Sequence, residues 1–296
     1  MHLILGHPED SCCAALRERL SAEECEARVI AAPLEAPALH QLRIDANGAY
    51  STALILNDPP AVPIESVFVR SSGVLDPLGW LAADHVYMQA EVQAAMLAWL
   101  SALDCPVVNR VSAELWYRAR LPLPHWLSPL RACGLRAPEM IITNDEAGID
   151  GFRRDAEGRG VPGAVFLSLA QQDSWLVSGE EWKGVMALGR HAPVCLAEAH
   201  GPVGLLCVVG QSIVWDREPI SGESALSGRL LQFARSQGLE FVEIGLARVQ
   251  AGIAVVHVDL LPRLERFSAG AQGLILDGLM ELLLGRARSG LAQVHP

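Results

Sequence analysis

Along the first hundred positions, short β-rich apolar runs alternate with longer stretches of helical period. Leu3–Leu5 reads as a strand and His7-Pro8-Glu9-Asp10-Ser11 as a turn. A helix is predicted from about Ser11 to Ala27, with Ala15, Leu16 and Leu20 on one face. Arg28–Ala31 reads as a second strand, so the chain opens like one unit of a parallel α/β sheet. Leu42–Asp45 and Ser51–Leu56 bracket Asn47-Gly48, a tight-turn dipeptide, and are predicted to form an edge pair. Val67–Arg70 is another β-rich run. Met88–Leu103 is predicted as an amphipathic helix from Val92, Met96, Trp99, Leu100 and Leu103, and Cys105–Asn109 as the strand after it. Residues 1–108 are read as a small N-terminal α/β lobe with a parallel sheet.

The pattern then becomes less regular. Trp126–Cys133 is a short helix stopped by Gly134. Pro138–Thr143 is a strand, and Asn144-Asp145-Glu146 suits the cap of a following helix. Arg153–Gly163, rich in Arg, Asp and Gly, reads as an exposed turn. Val165–Ala170 and Trp175–Val177 are strand-like. Five further β runs follow: Val194–Ala197, Gly204–Val209, Ser212–Trp215, Leu239–Ile244 and Ile253–Asp259. Helices are predicted from about Gly222 to Gln237 and from about Ala271 to Leu284. Residues 109–195 are read as a linker and a small lobe, and 196–296 as a C-terminal lobe with a mostly antiparallel sheet. No internal repeat or low-complexity tract appears.

Composition narrows the function classes. At 51% apolar residues the 296-residue chain can bury a real core. Lys+Arg is 23 and Asp+Glu 34, a formal charge of −11, which speaks against a nucleic-acid or anionic-membrane partner. Lys183 is the only lysine among those cations. No run reaches 18 unbroken apolar residues, so no membrane span is expected. The start lacks a basic segment ahead of a long apolar one and reads as a first strand rather than a signal peptide. Seven scattered cysteines without a CxxC pair argue against a disulfide framework or zinc site, and a reducing cytoplasm is the expected compartment.

Common catalytic strings are missing: there is no GxSxG, HExxH or Walker loop. His200 and His257 stand 57 positions apart in the β-rich C-terminal region, where a lone histidine is more often structural than a metal ligand. Three polar clusters have two readings each. Gln171-Gln172-Asp173-Ser174-Trp175 suits a lid or a β-turn. Asp84–Glu91 suits a helix start or a substrate contact. Trp116–Arg120 with His125-Trp126 suits an interface, a carboxylate-bearing ligand, or packing of a linker.

An order of parts carries more information. Leu130-Arg131-Ala132-Cys133-Gly134-Leu135-Arg136-Ala137-Pro138-Glu139-Met140-Ile141-Ile142-Thr143-Asn144-Asp145 resembles the entry to the nucleotide-binding region of ATP-grasp enzymes, in the RimK-like, peptide-ligating branch. Pro193–Pro202 is similar to that family's adenine hinge, and Leu206–Gln211 to the strand after it. Gly238–Ile244 and Val255–Pro262 look like its final two strands. The resemblance covers about Cys105 to the C-terminus. It implies an α/β fold with a two-lobed ATP-grasp-like domain after the N-terminal lobe. Val255–Asp259 should pair with Leu239–Ile244, with their carboxyl ends near Leu196–His200.

The resemblance also implies chemistry: ATP- and Mg-dependent joining of a carboxylate to an amine, on a small-molecule or peptide carboxylate substrate. Leu196, Ala197, Glu198 and His200 fall at the nucleotide hinge, and Asp259 and His257 at the metal position. The departures cut against that chemistry. Leu167 stands where the family has its phosphate-binding lysine, and Val203-Gly204-Leu205 where it has Asp-x-Arg. His257-Val258-Asp259 replaces Glu-x-Asn, and an earlier metal-site acid falls on Gly245. Neutral imidazole is a poor magnesium ligand. Phosphoryl transfer runs on positioning and charge neutralisation, so a working ligase would have to use arginines, of which Arg248 and Arg263 are the best placed. The alternatives are a degenerate relative serving as a binding or scaffold subunit for a biosynthetic protein partner, and a plain small-molecule binding module.

Overall fold

The computed structural model describes residues 1–31, 38–46, 50–56, 63–70, 77–109, 121–161, 163–169, 174–217, 224–285 and 293–294. The Asn47-Gly48 turn, the Trp116–Arg120 stretch and Gln171–Asp173 lie outside them. The chain divides into two compact units. The first is Met1–Ala119 with Gly238–Phe241 and Arg263–Leu291; the second is Arg120–Gln237 with Val242–Pro262 and Ala292–Pro296.

In the first unit β1 (His2–Leu5), β2 (Ala27–Ile30), β5 (Ser66–Val69) and β6 (Val107–Val108) form a parallel sheet in the order β2-β1-β5-β6. The alternation seen in the sequence sorts its two faces. Leu3, Leu5, Val67 and Val69 pack with Met96, Trp99, Leu100 and Leu103 of helix α2 (Ala82–Ser101). On the other side Phe68 meets Phe241, ring centroids 5.7 Å apart. Helix α1 (Ser11–Ala22) is capped by Asp10, whose carboxylate accepts from the Cys12 and Cys13 amides. β3 (Ala38–Ile44) and β4 (Tyr50–Leu56) form the expected antiparallel pair. Helix α1 stops five residues before the predicted Ala27, because Glu24 turns the chain with φ 58° and β2 begins at Ala27. Helix α2 begins at Ala82 rather than Met88; its first turn carries Asp84, a favourable charge at that end.

The second unit has two sheets. One is antiparallel: β7 (Met140–Thr143), β10 (Val194–Ala199), β8 (Gly163–Leu167) and β9 (Ser174–Val177), in that order. Helix α3 (Leu123–Ala132) precedes it; helices α4 (Glu146–Gly158) and α5 (Glu181–Gly189) cover one face. The other sheet runs β14 (Gly252–Asp259), β13 (Phe241–Val249), β11 (Gly204–Val209), β12 (Ser212–Trp215) and β15 (Gln293–Val294). Helix α6 (Ser224–Ser236) carries Phe233 edge-on to Trp126 of α3 at 5.8 Å. Helix α7 (Ala269–Leu283) returns to the first unit, where Arg19 of α1 pairs with Asp277 at 2.7 Å.

Two expectations change here. Arg153–Gly158 is helix, not turn. Ile149, Phe152 and Ala156 are buried at helical spacing, and Asp150 pairs with Arg153 and Arg154 at 2.7 and 2.9 Å, so the charged residues form the solvent face of α4. β14 does pair beside β13, but antiparallel, so the carboxyl end of β13 and the amino end of β14 reach the segment at His200, while that segment ends a strand of the other sheet. The connection is a hydrogen bond from the His200 amide to the Arg248 carbonyl, 2.8 Å.

Candidate functional site

Alternation along β8 and β10 decides which side chains look into the space between the two sheets. Ala164, Phe166, Val194 and Leu196 pack with Ile149, Phe152, Trp182 and Val185 of the covering helices. The intervening residues Val165, Leu167, Cys195 and Ala197 turn the other way, and all four are buried. Leu167 and Cys195 there meet Val256, His257 and Val258 of β14 and Leu121, Leu123 and Leu169 around a cavity of about 20 Å³. That is room for about one water. Neither a lysine nor an arginine is among the residues lining it. Burial pushes the Cys195 thiol up to about 11, so it stays protonated, a weak nucleophile and a weak metal ligand.

On the facing sheet Glu243 stands opposite Asp259, and Gly245 opposite His257. The two-residue period puts all four on one face. Glu243 is fully buried, and its Oε1 lies 3.0 Å from His257 Nε2. A carboxylate acceptor there places the imidazole proton on Nε2. His257 Nδ1 is buried without a hydrogen-bond partner. Asp259 Oδ1 accepts from the Leu261 amide at 2.9 Å. Among the described residues no group of three or more His, Cys, Asp or Glu side chains is arranged to hold a metal ion. Glu243 had no role in the sequence reading. The signal was present as Glu243-x-Gly245 facing His257-x-Asp259, but strand register was needed to see it.

At the hinge, Leu196 and Ala197 are in a central strand, with β7 on one side and β8 on the other. Glu198 is buried. Its Oε1 accepts from the Gln250 amide at 2.9 Å, with His200 Nε2 at 3.4 Å; its Oε2 lies 3.8 Å from Arg159 Nη2. Arg159, read earlier as part of a turn, thus joins Glu198 and Glu139 at the end of α4. Arg248 projects to solvent near the end of β13, whereas Arg263 belongs to the first unit, so no single unit holds both. Lys183 is exposed on α5 and pairs with Glu180; it is not on the strand that Leu167 occupies.

No protein-family profile matches the sequence, and no curated protein is similar to it at the level of sequence. Solved structures are similar in fold. Macrocyclase MdnC from Microcystis aeruginosa, bound with the precursor peptide MdnA, is 13% identical, with a TM-score of 0.65 over 96% of this chain and 99% of that one. ATP-grasp ligase PsnB, complexed with a phosphomimetic variant of its minimal precursor, Mg and ADP, is 19% identical, with a TM-score of 0.65 over 95% and 98%. A Chryseobacterium gregarium RiPP-associated ATP-grasp ligase, in complex with ADP and a leader and core peptide, is 11% identical, with a TM-score of 0.67 over 99% of each chain. The chain shares the ATP-grasp fold of these structures, as the order of its sequence motifs implied.

The side chains between the two sheets do not fit the magnesium nucleotide that this fold implies. The triphosphate would meet Val165, Leu167, Cys195 and Ala197, a buried apolar face, and the cation would meet an imidazole already bonded to Glu243. Loss of a single well-placed charge donor commonly costs about 10²–10³ in rate. The face formed by Val165, Leu167, Cys195 and Ala197 carries no such donor.

Proposed function

We propose that this chain is a peptide-directed binding subunit on an ATP-grasp fold that has given up nucleotide chemistry. The observation that carries this reading is the apolar, closely packed face of Val165, Leu167, Cys195 and Ala197, with a cavity of about 20 Å³ beside it. Ligand sites for molecules of nucleotide size generally enclose about 300–1,000 Å³. Peptide as the class of partner is supported by the similar structures, which were solved with precursor or leader and core peptides. Its biological setting would be a peptide-modifying pathway in which a separate enzyme supplies the bond-forming step. Leu196, Ala197, Glu198 and His200 then act as structural residues of the strand and its end, and Asp259 and His257 belong to a buried polar cluster.

The test is an acyl-phosphate trap. Purified protein is given ATP, magnesium, hydroxylamine and a glutamate-rich peptide, and hydroxamate and phosphate release are followed. Neither should rise above the protein-free rate. Hydroxamate that disappears in Arg248→Ala or Arg263→Ala would instead establish an arginine-based ligase and end the binding-subunit reading.

A further inference from the structure

Glu243, Gly245 and His257 carry an inference that deepens the reading above and rests on it. Glu243 and Asp259 are buried and face each other directly across the β13–β14 ladder. Two carboxylates in that relation repel unless something positive, or a strong donor, stands between or beside them. A divalent cation would serve; so does an N–H. One such group is His257, whose Nε2 lies 3.0 Å from Glu243 Oε1. The imidazole can take that place only because residue 245 has no side chain. A Cβ on Gly245 would lie 2.5 Å from His257 Nδ1, 2.7 Å from its Cε1 and 3.0 Å from Val203 Cγ1. A side chain at 245 would therefore force the ring to shift from this position against Glu243.

We propose that the Glu243–His257 pair, seated over Gly245, is an internal plug that stands in for a bound divalent cation and excludes one from this face. The three residues form one interlocked unit. Glycine at 245 makes room for the ring, the ring's Nε2 stands against Glu243, and the seated ring occupies the space a cation there would need. Binding of a peptide partner would then need neither magnesium nor nucleotide.

The experiment is thermal unfolding of the full chain, with Mn²⁺ as the probe. In wild type, Mn²⁺ should leave Tm unchanged. In His257→Ala, which empties the space the ring fills over Gly245 beside Glu243 and Asp259, Mn²⁺ should raise Tm. Gly245→Ala should lower Tm by about 5 °C or more in the wild-type background. In the His257→Ala background the same change should cost at most about 1 °C, since the methyl group occupies the space the ring has left. A Gly245→Ala chain that cannot be purified while the double variant can counts as the same result. An equal cost in both backgrounds would overturn the interlock. Stabilisation of wild type by Mn²⁺, or of neither chain, would overturn the exchange of ring for cation. Either failure leaves the acyl-phosphate result untouched, so failure of the plug is distinguishable from failure of the binding-subunit reading.

Discussion

Asp10 shows how much one short side chain can hold. It caps α1 through the Cys12 and Cys13 amides and pairs with Arg70, a buried guanidinium, at 2.7 Å. Burial raises its carboxyl, but the hydrogen bond and charge of Arg70 and the helix amide outweigh that, leaving it below the usual carboxylate value. A depressed folded value means stability that is present above the unfolded value and lost as pH falls through the folded one. Asp10→Asn keeps a capping side chain but removes the charge facing Arg70. It should cost about 1–2 kcal/mol at pH 7, with the difference from wild type shrinking below about pH 4. Urea unfolding at pH 7 and pH 3 measures both; an unchanged difference at the two values would assign the loss to packing. The cap is legible in the sequence as a turn before a helix. The partner, 60 residues away, is not, because it arrives through parallel pairing of β1 with β5.

Helix α4 and hairpin β8–β9 mark where local pattern misled and where it sufficed. The string Arg153–Gly163 looks like a turn by composition, yet its first half is helix to Gly158: Ile149, Phe152 and Ala156 supply an apolar stripe and Asp145 caps the start by accepting from the Ala147 and Gly148 amides. Tertiary burial of that stripe overrides the polar and glycine content. Asp145→Ala should cost about 1 kcal/mol, read as a fall in unfolding midpoint. In β8, Gly163 is required by approach rather than by φ: a Cβ there would lie 2.7 Å from the Val177 carbonyl oxygen. Backbone cannot step aside as a side chain does. Gly163→Ala should therefore cost about 1–3 kcal/mol and speed amide exchange along β9. A neutral Gly163→Ala would show that this edge pair opens freely in solution.

Taken whole, the molecule makes a further prediction. A ligand that binds only the folded state at a hundred times its dissociation constant stabilises it by about 2.7 kcal/mol. Mg-ATP at millimolar concentration should leave Tm within about 1 °C of the unliganded value, against a rise of several degrees for a working nucleotide site. Differential scanning fluorimetry settles it; a several-degree rise abolished by chelator would contradict the packed cleft. Periodicity and the order of strands and helices are properties of the chain read linearly, and they pointed to the fold. That Glu243 stands opposite Asp259, that His257 lies over Gly245, and that Arg159 reaches Glu198 depend on register between strands and on elements far apart in sequence. A one-residue shift in pairing would send the Glu243, His257 and Asp259 side chains to the opposite face, so no local pattern specifies them; only the closed fold does.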